Sequence, residues 1–591
     1  MAIHSLLRWV YKISNERTDT LKLLELLKRE VPNPSPLLLG FSVLSGISNA
    51  CLIAVINGAA ASVSNKAINW RYTILYLLCA VVFFYSKKYT LDRSSELVEW
   101  VINRVRRRLA DKVRHTELVS LDTYGTATIY ARISQDATII SNVTTSIINS
   151  IQSSIMILFT LLYVATISLW SFVLISVGLC LGVFYYMGFS DSFQQMWQNV
   201  SVKETIFYEK LSHILQGFKE IRINRRKNEE VFRNYEEVND SMRDFRVETS
   251  QQYNRILIFT QVFFYILLGV ILFALPKIHP EHAESVIKVV TALLFIAGPL
   301  EGIIFSIPSY SNANNAANNL ISLEGQLEEE LKRLGEDRLS PQDPLSYESL
   351  PFNRCIELKD LRYQYPARIG NGPGFQIGPF NLKIQKGELI FITGGNGSGK
   401  STFMHLITGL YKPSSGSILL DSDQDRDSIS VNQLNYQCYQ NLFSIIFSDY
   451  HLFDKIYGIE QAIDAEEVNR LMRSLGLPVE KVKYQSGQFT NTHLSSGQKK
   501  RLALVTTILE DKSIYIYDEV AADLDPEFRD HFYFIILPEL KRRNKTVLVV
   551  SHDQQYWMVP DRLLHFQDGM MHELTKAEVA ALISVGKQEH S

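Results

Sequence analysis

From Ala137 to Ser190 the chain carries no charged side chain. A helix needs roughly 20 mostly apolar residues to cross a bilayer, so this run is long enough for two crossings. It predicts spans over Val143–Leu169 and Ser171–Gly188, hinged near Trp170. Four further runs meet the same criterion: Leu37–Ala61, Ala67–Ser86, Ile256–Leu275 ended by Pro276, and Val286–Ile307 ended by Pro308. The expectation is a six-span helical domain over residues 36–320.

Charge orients these spans. Lys87, Lys88, Arg93 and the Arg104–Arg114 cluster follow the second; Lys203, Lys210, Lys219, Arg222 and Arg225–Lys227 follow the fourth. The other links are short and carry few basic residues. The excess of Lys and Arg on cytoplasmic loops therefore puts both termini and the two long links in the cytoplasm. Unstructured loops of that length are uncommon, so the links read as extensions of the spanning helices. Their turns, near Leu118–Gly125 and Tyr208–Gly217, are placed to meet a cytoplasmic domain. Lys288 and Glu301 are charges within the sixth span, which marks them as candidate cargo contacts, although Lys288 can also snorkel. Residues 1–35 carry mixed charge, with Leu23, Leu24 and Leu27 at helical spacing, and read as an amphipathic cytoplasmic helix rather than a signal peptide.

The hydrophobic fraction of 46% is an average over unlike halves. Residues 321–352 read as a charged helix and a Pro/Ser/Asp-rich linker, and residues 353–591 as a soluble domain. A net charge of -2 gives no basic excess for nucleic acid. The cysteines, 5 in all, show no metal-type spacing and read as small apolar packing residues. In the soluble half, β-rich runs (Glu388–Thr393, Ser417–Leu420, Ser444–Phe447, Ser513–Tyr517, Thr546–Val550) alternate with helical stretches, which predicts an α/β domain.

Gly394-Gly395-Asn396-Gly397-Ser398-Gly399-Lys400-Ser401-Thr402 follows one of these strands and opens a helix. Glycines allow backbone N–H groups to close around phosphate oxygens, and the helix N-terminus adds its positive dipole end. Lys400 is expected to neutralise the β- and γ-phosphates of ATP, and the Ser401 hydroxyl to ligate Mg²⁺. Ile514-Tyr515-Ile516-Tyr517 carries Asp518 and Glu519 to a strand end. Asp518 suits a Mg²⁺ contact and Glu519 suits polarising the attacking water.

Between these motifs, Leu494-Ser495-Ser496-Gly497-Gln498 resembles the LSGGQ signature of ATP-binding cassette (ABC) proteins, with Ser496 in place of a Gly. With six spans, two long links and one cassette, the chain resembles an ABC exporter half-transporter: a six-span transmembrane domain plus an α/β P-loop cassette, type IV exporter-like. The resemblance implies further roles. Tyr365 matches the aromatic that stacks on adenine, His552 the switch histidine that contacts the γ-phosphate, and Asp525 the D-loop aspartate. Ser448 stands where the family usually has Gln, with a shorter reach to Mg²⁺ that Asp449 or a water would have to span. One cassette does not complete its own site in this family, so a homodimer is implied, with the signature of one copy capping the nucleotide of the other.

The strings Gly394–Thr402, Leu442–Asp454 and Leu494–Leu504 are similar to the cyclic-peptide exporter family, which includes pyoverdine-precursor and syringomycin-type exporters of Gram-negative bacteria. That similarity implies an inner-membrane, ATP-driven efflux transporter of a cyclic or modified peptide, such as a siderophore precursor. A lipid or lipid-linked flippase on the same scaffold is an alternative; a nucleotide-gated channel or receptor is another, opposed by intact Lys400, Asp518, Glu519 and His552. The spans exclude a soluble ABC ATPase acting on nucleic acid.

Overall fold

The computed structural model describes residues 22–30, 36–64, 70–278, 286–334, 349–365, 374–421, 428–432, 435–459, 463–478 and 480–589. The amphipathic segment before Lys22 and linker positions 340–348 lie outside them. The chain divides into two compact units, one holding Tyr124–Leu331 and the helices before Glu117, the other holding Glu117–Thr123 and the chain after Leu331.

The first unit is helical. It contains α1 (Lys22–Glu30), α2 (Pro36–Ser64) and α3 (Trp70–Arg114). The short α4 (Leu118–Tyr124), which up to Thr123 belongs to the second unit, and α5 (Thr126–Ala131) lead through a π-turn into α6 (Ala137–Ile167). Then come α7 (Leu169–Gln216), α8 (Phe218–Ile223), α9 (Arg225–Gly269), α10 (Leu275–Ile278) and α11 (Val286–Leu334). Among the described residues, five helices are long and apolar enough to cross a membrane, and Leu169–Tyr185 of α7 is a shorter apolar stretch. Core residues such as Ile53, Val164, Ile175, Ile271, Val289 and Ile296 draw together α2, α6, α7, the π-turn after α9, and α11.

Several expected boundaries move. The break between the third and fourth spans is at Ser168, where an extended φ/ψ of -155°/117° interrupts the helix, and the Ser168 hydroxyl accepts from the Ser171 amide to start α7. Pro276 does not end its span, because a π-turn at Val270–Ala274 precedes it and Leu275–Ile278 continues helical. Pro308 does not end the sixth either: α11 runs through both Pro299 and Pro308 to Leu334. Tyr208–Gln216 is still helix, so the second turn is Gly217–Asn224, built around α8. In α1 the buried face is Leu23, Leu26 and Glu30 while Leu24 is exposed, since positions three, four and seven apart share a helix face.

Glu30 anchors that helix. Arg108 on α3 donates to Glu30 at 2.7 Å and also to Glu324 on α11, and Lys112 reaches Glu324 at 3.1 Å. Both carboxylates are nearly fully buried. Burial of a charge is tolerated when its oxygens are paired and hydrogen-bonded, as here. The Leu23 amide adds a bond to Asn314 Oδ1 at 3.0 Å.

The second unit is α/β. Its main sheet has the order β12-β11-β3-β10-β9-β6, formed by β3 (Leu389–Gly394), β6 (Phe443–Ile446), β9 (Ile514–Asp518), β10 (Thr546–Val550), β11 (Arg562–Gln567) and β12 (Met570–Leu574). Five of these strands pair in parallel and β12 is antiparallel at the edge. A strand in a parallel sheet is covered on both faces, which is why β3, β9 and β10 are apolar runs without a polar alternate. Side chains still alternate. Phe391, Tyr515, Tyr517 and Val549 enter one core, while Ile390, Ile392, Ile516 and Val550 enter the other. A second, antiparallel sheet orders as β2-β1-β4-β5, with β1 at Cys355–Gln364, β2 at Gln376–Gln385, β4 at Ser415–Leu420 and β5 at Ile429–Ser430.

Leu118 and Val119 pack against the second core within this unit, and Glu117 pairs with Lys412 at 3.2 Å. The first expected turn therefore clusters with the ATP-binding half. α8 belongs to the first unit and exposes Phe218 and Ile223, the latter at 88%.

Candidate functional site

Parallel strands deliver their C-terminal ends to one edge, and open α/β sheets place ligand sites outside that edge. The loop after β3 carries the glycine-rich motif. Gly394, Gly397 and Gly399 take φ of 146°, 75° and 102°, values that L side chains adopt only under strain. A Cβ at Gly394 would lie 2.3 Å from the Phe566 carbonyl oxygen, and one at Gly399 2.9 Å from Ile377. The loop then runs into a helix, Lys400–Ile407.

Lys400 is 7% exposed, and its ammonium donates to the carbonyls of Gly394 and Gly395, each at 2.9 Å. The cation is thus held inside the curve of its own loop. Burial lowers its pKa, and the carboxylates of Glu519 and Asp518 oppose that shift. Ser398 Oγ is buried without a hydrogen-bond partner among the described residues. A buried hydroxyl of this kind is unusual in a folded protein and points to an acceptor supplied from outside the chain.

Asp518 ends β9 and is 3% exposed. Burial pushes its pKa up, the neighbouring Glu519 adds to this, and hydrogen bonds from the amide and hydroxyl of Ser448 pull it back down. Ser448 thus sits beside Asp518 despite its short side chain. Glu519 takes a left-handed φ of 53°, which turns the chain out of the strand. Its amide donates to the Val550 carbonyl at 3.2 Å, and its carboxylate Oε1 lies 3.2 Å from His552 Nε2. Tyr365 donates or accepts a 3.0 Å bond with Thr402 Oγ1, and its ring meets Tyr363 and Tyr411 edge-on.

The residues present fit a Mg²⁺-nucleoside triphosphate. The loop offers amides, a cation and an unsatisfied hydroxyl for phosphate oxygens. Ser401, Asp518 and Ser448 offer hard oxygen donors of the type Mg²⁺ takes.

Leu494–Gln498 and Asp525 form a separate cluster. Ser495 caps the helix Ser496–Glu510 in a reciprocal box with Gln498. Lys500 and, after it, a hydrogen bond from the Ser496 hydroxyl hold the Asp523 pKa down. A Cβ on Gly497 would lie 2.8 Å from the Asp523 carbonyl oxygen. Asp525 accepts from the Phe528 amide at 3.0 Å and pairs with Arg501, whose guanidinium lies 4.1 Å from the Phe528 ring centroid. Among the described residues, Ser495–Gln498 bond to each other and to Asp523, not to the glycine-rich loop.

Residues 377–522 match the ABC transporter family, and residues 37–298 match the ABC transporter transmembrane region. The ATP-binding protein SyrD of Pseudomonas syringae pv. syringae is 31% identical over 554 residues, covering 90% of this chain and 94% of its own. This chain belongs to the ABC transporter family. Two relatives align only with part of this chain. The nisin transport ATP-binding protein NisT of Lactococcus lactis subsp. lactis is 29% identical over 38% of this chain and 38% of its own. The energy-coupling factor transporter ATP-binding protein EcfA1 of Mycoplasma mobile is 30% identical over 36% of this chain and 77% of its own. The transporter is an ABC exporter of the multi-pass membrane type, and it couples ATP hydrolysis to transport.

One residue that sequence reasoning did not single out is Lys500. It is 5% exposed, and its ammonium donates to the Glu519 carbonyl at 2.8 Å and pairs with Asp523 at 2.9 Å. It therefore ties the signature helix to the turn that presents Glu519. Its position four residues after Ser496, on the same helix face, was the available signal. Glu301, one of the two charges in the sixth span, accepts from Gln261 Nε2 at 3.0 Å.

Proposed function

We propose that this transporter works as a homodimer in a bacterial inner membrane, with its cassette and both termini in the cytoplasm, and exports a peptide-like cargo. Gly394–Thr402 would bind the triphosphate, with Tyr365 stacked on the adenine. Ser401, Asp518 and Ser448 would hold Mg²⁺, whose charge when bound screens the phosphates. Glu519 would orient and deprotonate the attacking water, and His552 would hold Glu519 and reach the terminal phosphate.

The separation of the signature from the loop carries the homodimer reading. Among the described residues, Leu494–Gln498 and Asp525 have partners in their own cluster but none in the glycine-rich loop, which supports a second copy bringing them to a nucleotide. A single cassette per chain then implies two-fold symmetry with two equivalent sites. ATP held between cassettes would favour one global state and hydrolysis the other, a rigid-body switch driven by differential contacts. The exposed apolar tip at α8 is a suitable surface for transmitting that switch.

The peptide reading draws on the similarity to cyclic-peptide exporters over the three motif strings, and a siderophore precursor falls in that class. An ATPase screen in lipid nanodiscs tests it. Stimulation by cyclic peptides but not by lipid headgroups is expected; stimulation by headgroups alone would assign the scaffold to a flippase instead.

A further inference from the structure

Helices α2, α3, α6 and α11 line an open cavity of about 530 Å³ within the spanning unit. Its lining includes the carboxamides of Asn49, Asn149 and Gln152, the Ser153 hydroxyl, the Phe83 ring and Lys87. In an apolar domain such a lining is costly unless its groups find partners. Several do not find good ones. Gln152 Nε2 is buried and has no hydrogen-bond partner among the described residues. Among the described residues, Asn49 Nδ2 meets only the Met156 sulfur, a weak acceptor. The Lys87 ammonium lies 5.5 Å from the Phe83 ring centroid, and among the described residues it has no carboxylate partner.

The imbalance has a sign. Among the described residues, the poorly partnered atoms on this lining are all donors, two amide N–H groups and an ammonium. A ligand that fits must bring acceptors: carbonyl oxygens for the amides and an anionic oxygen for Lys87. We infer that this cavity is a cargo subsite that takes a peptide ligand through its backbone carbonyls at Asn49 and Gln152 and a carboxylate at Lys87. The inference rests on the exporter reading above and specifies which chemistry of the cargo the protein recognises. Phe83 and Phe295 supply apolar surface for the cargo's side chains.

The test uses the full chain in nanodiscs of phosphatidylcholine, with two probes: a cyclic hexapeptide of Gly, Leu and Phe carrying one Asp, and its Asn counterpart. Binding is read by fluorescence titration and coupling by ATPase rate. A site built for a charged oxygen rejects the neutral isostere, so the wild type is expected to bind the Asp peptide about tenfold tighter. Lys87→Gln should narrow that preference to within about twofold, and Lys87→Arg should restore it. Gln152→Leu should weaken both peptides about equally. Equal binding of the two peptides, no binding of either, or a preference that survives Lys87→Gln would overturn the subsite. So would a Lys87 effect seen only on stimulation by phosphatidylglycerol nanodiscs, which would assign the ammonium to headgroup phosphate. Absence of basal ATPase in the wild type would instead overturn the exporter reading, and the subsite with it.

Discussion

His552 Nε2 lies 3.2 Å from Glu519 Oε1, and strand register is what brings them together. β9 and β10 run parallel with Asp518 opposite Val550, so the residues just beyond both strand ends leave the sheet side by side. Replacing Glu519 with Gln keeps the shape and removes the proposed base. ATP binding should be retained while turnover falls by about 10²-fold or more, as read by equilibrium binding and phosphate release. His552→Ala should lower turnover by about 10²-fold with Glu519 still present.

The Ser448 hydroxyl stabilises the charged form of Asp518 against burial and Glu519. Ser448→Ala removes that bond and leaves the amide, so the Asp518 pKa should rise further. The form proposed to hold Mg²⁺ is the carboxylate, present above that pKa and lost as pH falls through it. The acid limb of the ATPase pH profile should therefore move to higher pH, with little change in the plateau. Ser448→Gln restores a polar donor and should leave both folding and hydrolysis intact.

Much of this site was legible because strand ends, glycine spacing and an acidic pair are local features. The strands Leu389–Gly394, Ile514–Asp518 and Thr546–Val550 fall within a residue or so of their expected limits, since fully buried parallel strands read as unbroken apolar runs. Helix ends inside the spans were less legible. Pro308 looks like a stop, yet a proline within a spanning helix is accommodated when neighbouring helices satisfy the freed backbone. Lys500 was missed because its partners, Glu519 and Asp523, come from a different stretch of chain. The cavity carboxamides were missed for the same reason: they come together from separate helices and leave no motif.

Gly497 has no room for a side chain beside Asp523. Gly497→Ala should displace the signature loop, and a misplacement on the order of 1 Å costs about 10²-fold in rate. Binding of nucleotide to the glycine-rich loop of a single chain, before a second copy closes on it, should be unaffected, because among the described residues that loop shares no hydrogen bond with the signature. Parallel measurement of ATP affinity and turnover separates the two effects.

Arg108 bridges the buried carboxylates of Glu30 and Glu324. Arg108→Met preserves length but strips one partner from each. Lys112 still serves Glu324, so the expected loss is at the low end of the range for a broken buried pair, about 3 kcal/mol. Thermal unfolding in detergent should show it as a lower Tm, with α1 becoming accessible to protease first.

The central claim is that two copies of this chain clamp ATP between them and that hydrolysis drives export. The most direct measurement is the mass of the Glu519→Gln protein in detergent with ATP and Mg²⁺, by light scattering after subtraction of the micelle. The account predicts twice the 67.6 kDa chain mass, with nucleotide retained through gel filtration. A single-chain species, together with full ATP turnover by single-chain wild type, would contradict it.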